Sequence, residues 1–555
     1  MLRRRFADLL LFCVTSTELV ILILLTPTFG IADWIYVLQH VVVLGISIAR
    51  PHPRVRDYSV PSSIAVAVSY AYPYAQVIYL RWSPGEEAWP AGGLVLVTLA
   101  AALSFLSRLE LLLPRHIRRM KILIVSFGFP PSNVIGAVRV GKLARYLDRR
   151  GHDVRVLTAS GDGDKSLPLE IQPQRVLYTE YRTGRNWRNS LAQPFRSGQA
   201  VQAANISRPS LGDSGAQGSS PRIFLRRQYY GFTHIPDMRA DWVRTAIPAG
   251  RRLIEEWRPD IIFASAPPCT GLIVASRLAR SFGIPWVADF RDLWVDNIYS
   301  GHPRWRIPLD AVLERLTLRS AASLVTVSPI WAEQLRRRHR KHVELVYNGY
   351  VEEDFPPFPQ NADRGHVLTI RYTGSIYRGL RDPSAVFAGI SLLPEELRNR
   401  VKVEFYGEAA DAVLTAAVAH GVTEAVAVKP PVPYQRALEL QVKADVLLLL
   451  QSNDKRDEGN LPAKLFEYLF ARRPILFIGL ETGVAARIIA DRRAGLIAND
   501  PKRIRDQLLL WLAEKQTAGL KTLDRTVYFG LSRDEQYHKL ERLFTEILAK
   551  SEPPR

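Results

Sequence analysis

The sequence predicts an α/β protein of two successive halves, each a parallel sheet wound with helices, behind a helical segment that spans a membrane. Three observations carry that expectation. Short apolar runs end in Gly, Pro or polar turns and alternate with amphipathic helical patterns, first over residues 121–347 and again over 368–491. Residues 1–119 differ in kind, with four long apolar stretches at 9–28, 31–49, 59–80 and 92–113. The 555 residues carry a formal charge of +20, yet only 23% are charged and 47% are hydrophobic, which excludes a chain disordered throughout. Cys13 and Cys269 are the two cysteines, which excludes a disulfide scaffold and fits a reducing compartment.

Each apolar stretch is near the roughly 20 residues that a helix needs to cross a bilayer. Arg3, Arg4 and Arg5 precede the first, Arg50, Arg54 and Arg56 follow the second, and Arg108, Arg115, Arg118 and Arg119 follow the fourth. Only Arg81 lies in the alternate loops, beside Glu86 and Glu87. That sorting predicts four spans with both ends cytoplasmic, hence a multi-pass anchor over 1–119 in the cytoplasmic membrane with the rest of the chain cytoplasmic. Met120 opens a run that reads as the natural beginning of a soluble protein, so translation starting there is a second expectation.

Lys121–Phe127 is a β-rich run ending in Gly128-Phe-Pro-Pro. After a loop with Gly136 comes a helix with Val140, Leu143, Ala144 and Leu147 on one face and Arg139, Lys142, Arg145 and Arg149 opposite. Asp153–Ala159 is the next strand, a βαβ opening that places ligands at the strands' carboxyl ends. Residues about 185–222, rich in Ser, Gly, Gln and Asn, read as a mobile insertion. Strands follow at Asp260–Ser265, at Pro285 running into Asp289-Phe-Arg291-Asp292, at Leu324–Ser328 and at Val343–Tyr347. The Pro- and Asp-rich residues 353–366 form a linker. In the second half, Leu368–Tyr372, Val401–Tyr406, the almost wholly apolar Ala444–Gln451 and Pro474–Ile478 are strands, with helices at 462–472 and 483–491 and a closing helix at about 534–549. The domains so predicted are 1–119, 120–355 and 356–533, with 534–555 as closing helix and tail.

Gln451–Pro474 carries the chemistry. A buried strand stops in a polar loop, Gly459-Asn460-Leu461 turns, and a helix starts with Pro462 in its first turn. The free amides of that turn form an anion site. A diphosphate fits against them, with Gly459 allowing close approach and Lys464 neutralising charge. Glu467, further along, is a carboxylate for two vicinal sugar hydroxyls. Alternatively, Lys464 and Glu467 form an ordinary i, i+3 pair on an amphipathic helix.

From Met120 to about residue 550 the chain resembles the GT-B glycosyltransferases of family 4, in the branch making bacterial surface polysaccharides. The motifs are GFPPSNVIGAVR (128–139), ASAPP (264–268), VADFRDLW (287–294), VYNGY (346–350), YTGSIYRG (372–379), FYG (405–407) and EGNLPAKLFEYLFARRP (458–474), in the family's order. The resemblance implies two Rossmann-like domains facing a cleft, with a nucleotide-sugar donor on the second and an acceptor on the first. It also implies hexosyl-type transfer with retention and no metal or other cofactor. Glu467 matches the family's ribose-binding glutamate. Gly459, Asn460 and Leu461 match the phosphate-facing loop, Gly374 the turn near the diphosphate, and Gly136 a glycine near the cleft. Arg378, with Arg381 second, matches the cation that stabilises the leaving phosphate. The family pattern has two glutamates separated by seven residues; here Gly459 stands at the first position and Glu458 is one place early, which leaves the donor-sugar contact open.

Asp292, with Asp289 beside it, either orients an acceptor hydroxyl or joins Asp289 and Arg291 in an internal ion-pair network. The basic run Arg336–Lys341 suits anionic lipid or lipid diphosphate, or a solvated helix face; no nucleic-acid motif accompanies it. The expectation is therefore a membrane-anchored transferase passing a sugar from a nucleotide diphosphate to a lipid-linked or growing glycan. A sugar-nucleotide epimerase on the same architecture and a non-catalytic membrane scaffold binding nucleotide sugars are the alternatives.

Overall fold

The computed structural model describes residues 119–160, 165–181, 228–229, 231–299, 302–359, 365–376, 379–408 and 410–551, all within one compact unit, His116–Arg555. The four expected spans and the 185–222 insertion lie outside the described residues. Among those described, no helix is long and apolar enough to cross a membrane.

Two parallel sheets form the scaffold. The first contains β1 (Lys121–Ser126), helix α1 (Ile135–Arg149), β2 (Asp153–Ser160), β3 (Val176–Glu180), α2 (Val243–Trp257), β4 (Ile261–Ala266), α3 (Thr270–Phe282), β5 (Trp286–Phe290), α4 (Ile307–Leu318), β6 (Ser323–Thr326), α5 (Pro329–His339) and β7 (Val343–Leu345). Its seven strands lie in the order β3-β2-β1-β4-β5-β6-β7. The second contains β8 (Leu368–Thr373), β9 (Val401–Tyr406), β10 (Val426–Lys429), α6 (Tyr434–Val442), β11 (Val446–Leu450), α7 (Ala463–Ala471), β12 (Ile475–Ile478) and β13 (Gly495–Ile497), in the order β10-β9-β8-β11-β12-β13. In both, the order reverses beside the first strand of the half, and the crevice at that switch point is where doubly wound sheets take ligands.

The sequence dictates these layers locally. β11 reads VLLLL and is buried throughout, as a central strand covered on both faces must be. Val140, Leu143, Ala144 and Leu147 of α1 face β1 and β2 as their spacing requires. Its other face departs from expectation: Arg139 and Lys142 are buried rather than solvated. Lys142 Nζ meets both Glu170 and Asp354 at 2.7 Å, so partners remote in sequence draw the charge inward.

Helix α8 (Arg533–Ser551) closes the molecule by returning to the first sheet. Its Tyr537, Leu540 and Phe544 share a core with Ile122, Ile124, Val140 and Leu143. Each such side chain, fully buried, contributes about 1.5–3 kcal/mol. Glu541 fixes the register, accepting from Tyr146 Oη at 3.0 Å and lying 2.9 Å from His152 Nε2. Burial opposes ionisation of Glu541, but those hydrogen bonds and Arg150 hold its carboxyl down at about 2.

Candidate active site

The turn after β8 gathers two cationic side chains, Lys464 and Arg381. Gly374 sits at φ 120°, a conformation that glycine takes without steric cost, and its amide donates to Tyr406 O at 2.8 Å. Lys464 reaches this turn from α7: Nζ donates to Thr373 O at 2.6 Å and lies 4.1 Å from the Tyr372 ring centre. A methyl group on Gly374 would stand 2.7 Å from that ammonium. Arg381 flanks the same turn, donating to Ser375 O at 2.9 Å. Burial holds the Lys464 ammonium below its ordinary pKa, and Arg381 adds to the effect while Tyr372 opposes it. Burial resists ionisation of Tyr372, yet Lys464 and Arg381 together hold its phenol below the usual value. No carboxylate lies within ion-pair distance of Lys464 among the described residues, and the Glu467 charge acts on it only from further off. Arg378 lies outside the described residues.

The loop into α7 differs from expectation in two places. Pro462 is the residue before the helix, with an extended ψ of 139°, rather than a member of the first turn. No side chain caps the amides that follow, so the helix start keeps its donors. Gly459 is buried against the indole of Trp331, where a methyl group would stand 2.5 Å from Cδ1; its close approach is to the first half rather than to an open phosphate groove. Leu461 is 3% exposed, and its side chain packs into the core with Leu465 and Phe466. Glu458 turns outward to Arg487 at 2.9 Å.

Glu467 is buried at the seam between the halves. Gln441 Nε2 donates to its Oε2 at 3.2 Å and to Thr373 Oγ1 at 3.1 Å, while Gln441 Oε1 is buried without a partner. Burial pushes the Glu467 carboxyl up, against the opposing pull of Gln441, Arg533 and Lys464. Tyr434 also draws the Glu467 carboxyl down, and its ring packs against Ala137, Val138 and Leu167 of the first half. Glu467 therefore lies near the contact that Tyr434 makes between the two halves.

On the facing side, Gly136 lies in the first turn of α1 beneath the Arg291 guanidinium, whose carbon would be 2.5 Å from a methyl group there. Arg291 Nε donates to Ala266 O at 3.2 Å. Asp289 is wholly enclosed: Arg139 donates to both its oxygens, at 2.9 and 3.1 Å, and Ser265 Oγ to Oδ2 at 2.7 Å. That removes Asp289 from acceptor contact, and its partner is Arg139 rather than the neighbouring Arg291. Asp292 is half-buried just past the carboxyl end of β5, with no hydrogen bond or ion pair among the described residues.

A bridge unforeseen in the sequence crosses the groove. Tyr299 Oη donates to Asp457 Oδ2 at 2.7 Å, and Asn460 Nδ2 donates to Tyr299 Oη at 3.0 Å and to the same carboxylate oxygen at 3.2 Å. The Asn460 side chain thus serves an interdomain contact. Burial raises the Asp457 carboxyl to about 6; Tyr299, Asn460 and Arg381 pull it down, while the Asp292 charge pushes it up. A carboxylate raised on folding weakens stability as pH rises from about 4 to about 6. Asp457→Asn is therefore expected to abolish that part of the pH dependence and to raise Tm at neutral pH, read by thermal melts across the interval. A linear reading of Lys455-Arg-Asp-Glu-Gly-Asn offers no signal singling out Asp457.

A family description, Glycosyl transferase 4-like domain, matches residues 136–350, which span Gly136, Asp289, Asp292 and Tyr299. No curated protein sequence matches the chain. Among solved structures, sucrose-phosphate synthase from Thermosynechococcus elongatus is similar at 14% identity and a TM-score of 0.52, over 78% of this chain and 100% of that one. Anabaena HepE in complex with UDP and glucose is similar at 11% identity and a TM-score of 0.47, over 78% and 100%. A Listeria monocytogenes protein described as a UDP-N-acetylglucosamine 2-epimerase follows at 13% and 0.46, over 79% and 99%. The likeness to the synthase establishes a GT-B-like arrangement of the two parallel sheets.

Proposed function

We propose that the protein is a retaining glycosyltransferase that moves a sugar, of hexosyl type, from a nucleotide-diphosphate donor to a lipid-linked or growing glycan. It works at the cytoplasmic face of a membrane to which residues 1–119 anchor it. The observation that carries this reading is the cationic turn: Lys464 and Arg381 flank Gly374 beside an uncapped helix start. The 136–350 family match supports the acceptor half independently.

In this reading the diphosphate takes the amides of α7 and the two cations, with Arg378 as a third. Glu467 and the unpartnered Gln441 Oε1 accept from the ribose hydroxyls. As the bond from the anomeric carbon to the donor phosphate breaks, negative charge gathers on the leaving oxygen, where a preorganised cation is most effective. The acceptor hydroxyl, oriented by Asp292, bonds to the anomeric carbon on the face the phosphate leaves, and its proton passes to that phosphate. The charge balance of the step calls for no metal.

One observation favours epimerisation as the second reading. Asp457, raised to about 6, and Asp292 across the groove are carboxylates suited to acid and base roles. Incubating the full chain with radiolabelled nucleotide sugars and membrane extract separates the readings. Labelled lipid is the expected result; altered free nucleotide sugar would mean epimerisation, and neither product a binding scaffold.

A further inference from the structure

Helix α4 is built inside out. Its inward side carries acids: Asp310 and Glu314 are 4% and 0% exposed. Arg306 holds Asp310 at 3.0 Å, while the Val295 amide donates to Glu314 at 3.2 Å and His339 Nε2 lies 2.8 Å from it. Its outward side is apolar. Trp305, Leu309, Val312 and Leu316 follow one another by four, three and four residues, a spacing that aligns them along one face. They are 39%, 44%, 57% and 59% exposed, and Phe232, at 67%, stacks on Trp305 with ring centres 4.2 Å apart. A helix that packs only on its own domain turns such a stripe inward. Here the acids share the interior with Leu313 and Leu318 by pairing with Arg306, Arg338 and His339, and none of the described residues covers the stripe.

Charge selects the occupant. Arg304, Arg315 and Arg319 are exposed along the stripe, and none forms an ion pair among the described residues. The only acids of the helix point inward, so the exposed face is apolar and cationic. A second copy docked on the same face would set arginines against arginines. An anionic bilayer surface meets both demands, taking the tryptophan and aliphatic side chains among its acyl boundary and the guanidinium groups on its phosphates. We propose that α4, with Trp305 and Phe232, is a lipid-docking face by which the first Rossmann-like half lies directly on an anionic membrane. This holds whatever chemistry the groove performs, so it is independent of the transferase reading.

The basic run Arg336–Lys341 has less to offer such a surface than its sequence promises. Arg336 donates to Val343 O, Arg337 pairs with Glu333, Arg338 with Asp296 and Glu314, and Lys341 donates to the carbonyls of Arg319 and Ala321.

The test places p-benzoylphenylalanine at position 312 of the full chain, reconstituted in nanodiscs of equal phosphatidylcholine and alkynyl phosphatidylglycerol, and irradiates. The expected result is a lipid adduct from position 312 and little from position 418, where Val418 is 66% exposed in the second half. Combining Arg315→Glu with Arg319→Glu should lower adduct yield about tenfold or more, with an unchanged melting temperature. Adducts to a second copy or to residues 1–118, equal capture at the two positions, or no lipid adduct at 312 would each overturn the proposal.

Discussion

Lys464→Met is expected to lower kcat at least about a hundredfold while leaving Tm unchanged or slightly higher. The two halves of that expectation have one cause. In the free protein the Lys464 ammonium is desolvated, bonded to Thr373 O at 2.6 Å and pressed by Arg381 rather than paired with a carboxylate. A lysine whose pKa is lowered on folding costs stability at neutral pH, a cost that fades only as pH rises through the folded value. Removing the charge and keeping the volume removes that cost. In the transition state the balance inverts: charge growing on the leaving phosphate would meet this cation in a site already organised for it. Loss of one such group typically costs about a hundred- to a thousandfold in kcat. Part of the interaction already exists with the bound diphosphate, so KM should rise as well, by less than kcat falls. Steady-state kinetics with a saturating acceptor, beside thermal melts, gives both numbers. An unchanged kcat would pass the role to Arg381 or Arg378.

How much of this was legible beforehand depended on where the causes lie along the chain. Central strands announce themselves, because burial on both faces forces apolar runs: the second-sheet strand Val401–Tyr406 has the bounds its sequence suggests, and Val446–Leu450 sits inside Ala444–Gln451. Three of the four edge strands escape the same reading. Val176–Glu180, Val426–Lys429 and Gly495–Ile497 are short and partly exposed, so no apolar run marks them. The cationic face of α1 misleads for a related reason. Arg139 finds Asp289 at a separation of 150 residues and Lys142 finds Asp354 at 212, and no local pattern encodes such partners. Lys464 and Glu467 stood out in the sequence because they share one turn–helix segment, but the approach of Lys464 to the Gly374 turn joins residues 91 apart, and no local pattern encodes it. The Asp457–Tyr299 bridge was not, since its ends are 158 residues apart. The same blindness hid α4, whose acids sit inside only because Arg306, Arg338 and His339 are there to receive them.

Glu467→Gln is expected to weaken nucleotide-sugar affinity about a hundredfold or more and to stabilise the unliganded protein. Burial pushes the Glu467 carboxyl up, so folding favours its protonated form and its ionised form costs stability as pH rises above the unfolded value. An amide of the same shape carries no charge to bury, and Gln441 remains beside it as a hydrogen-bonding partner. The ribose responds in the opposite sense. Two vicinal hydroxyls donating to a carboxylate form charge-assisted bonds of about 1.5–3 kcal/mol each, and an amide offers one acceptor oxygen in place of two. Glu467→Ala should abolish binding, because it also leaves Gln441 Nε2 short of an acceptor. Titrating wild type and both variants with the donor and with its nucleotide diphosphate alone locates the contact. Equal losses for the two ligands place Glu467 on the nucleoside, whereas loss confined to the sugar nucleotide moves it to the transferred sugar. Unchanged affinity for both would put the donor elsewhere and remove the ground for the ribose assignment.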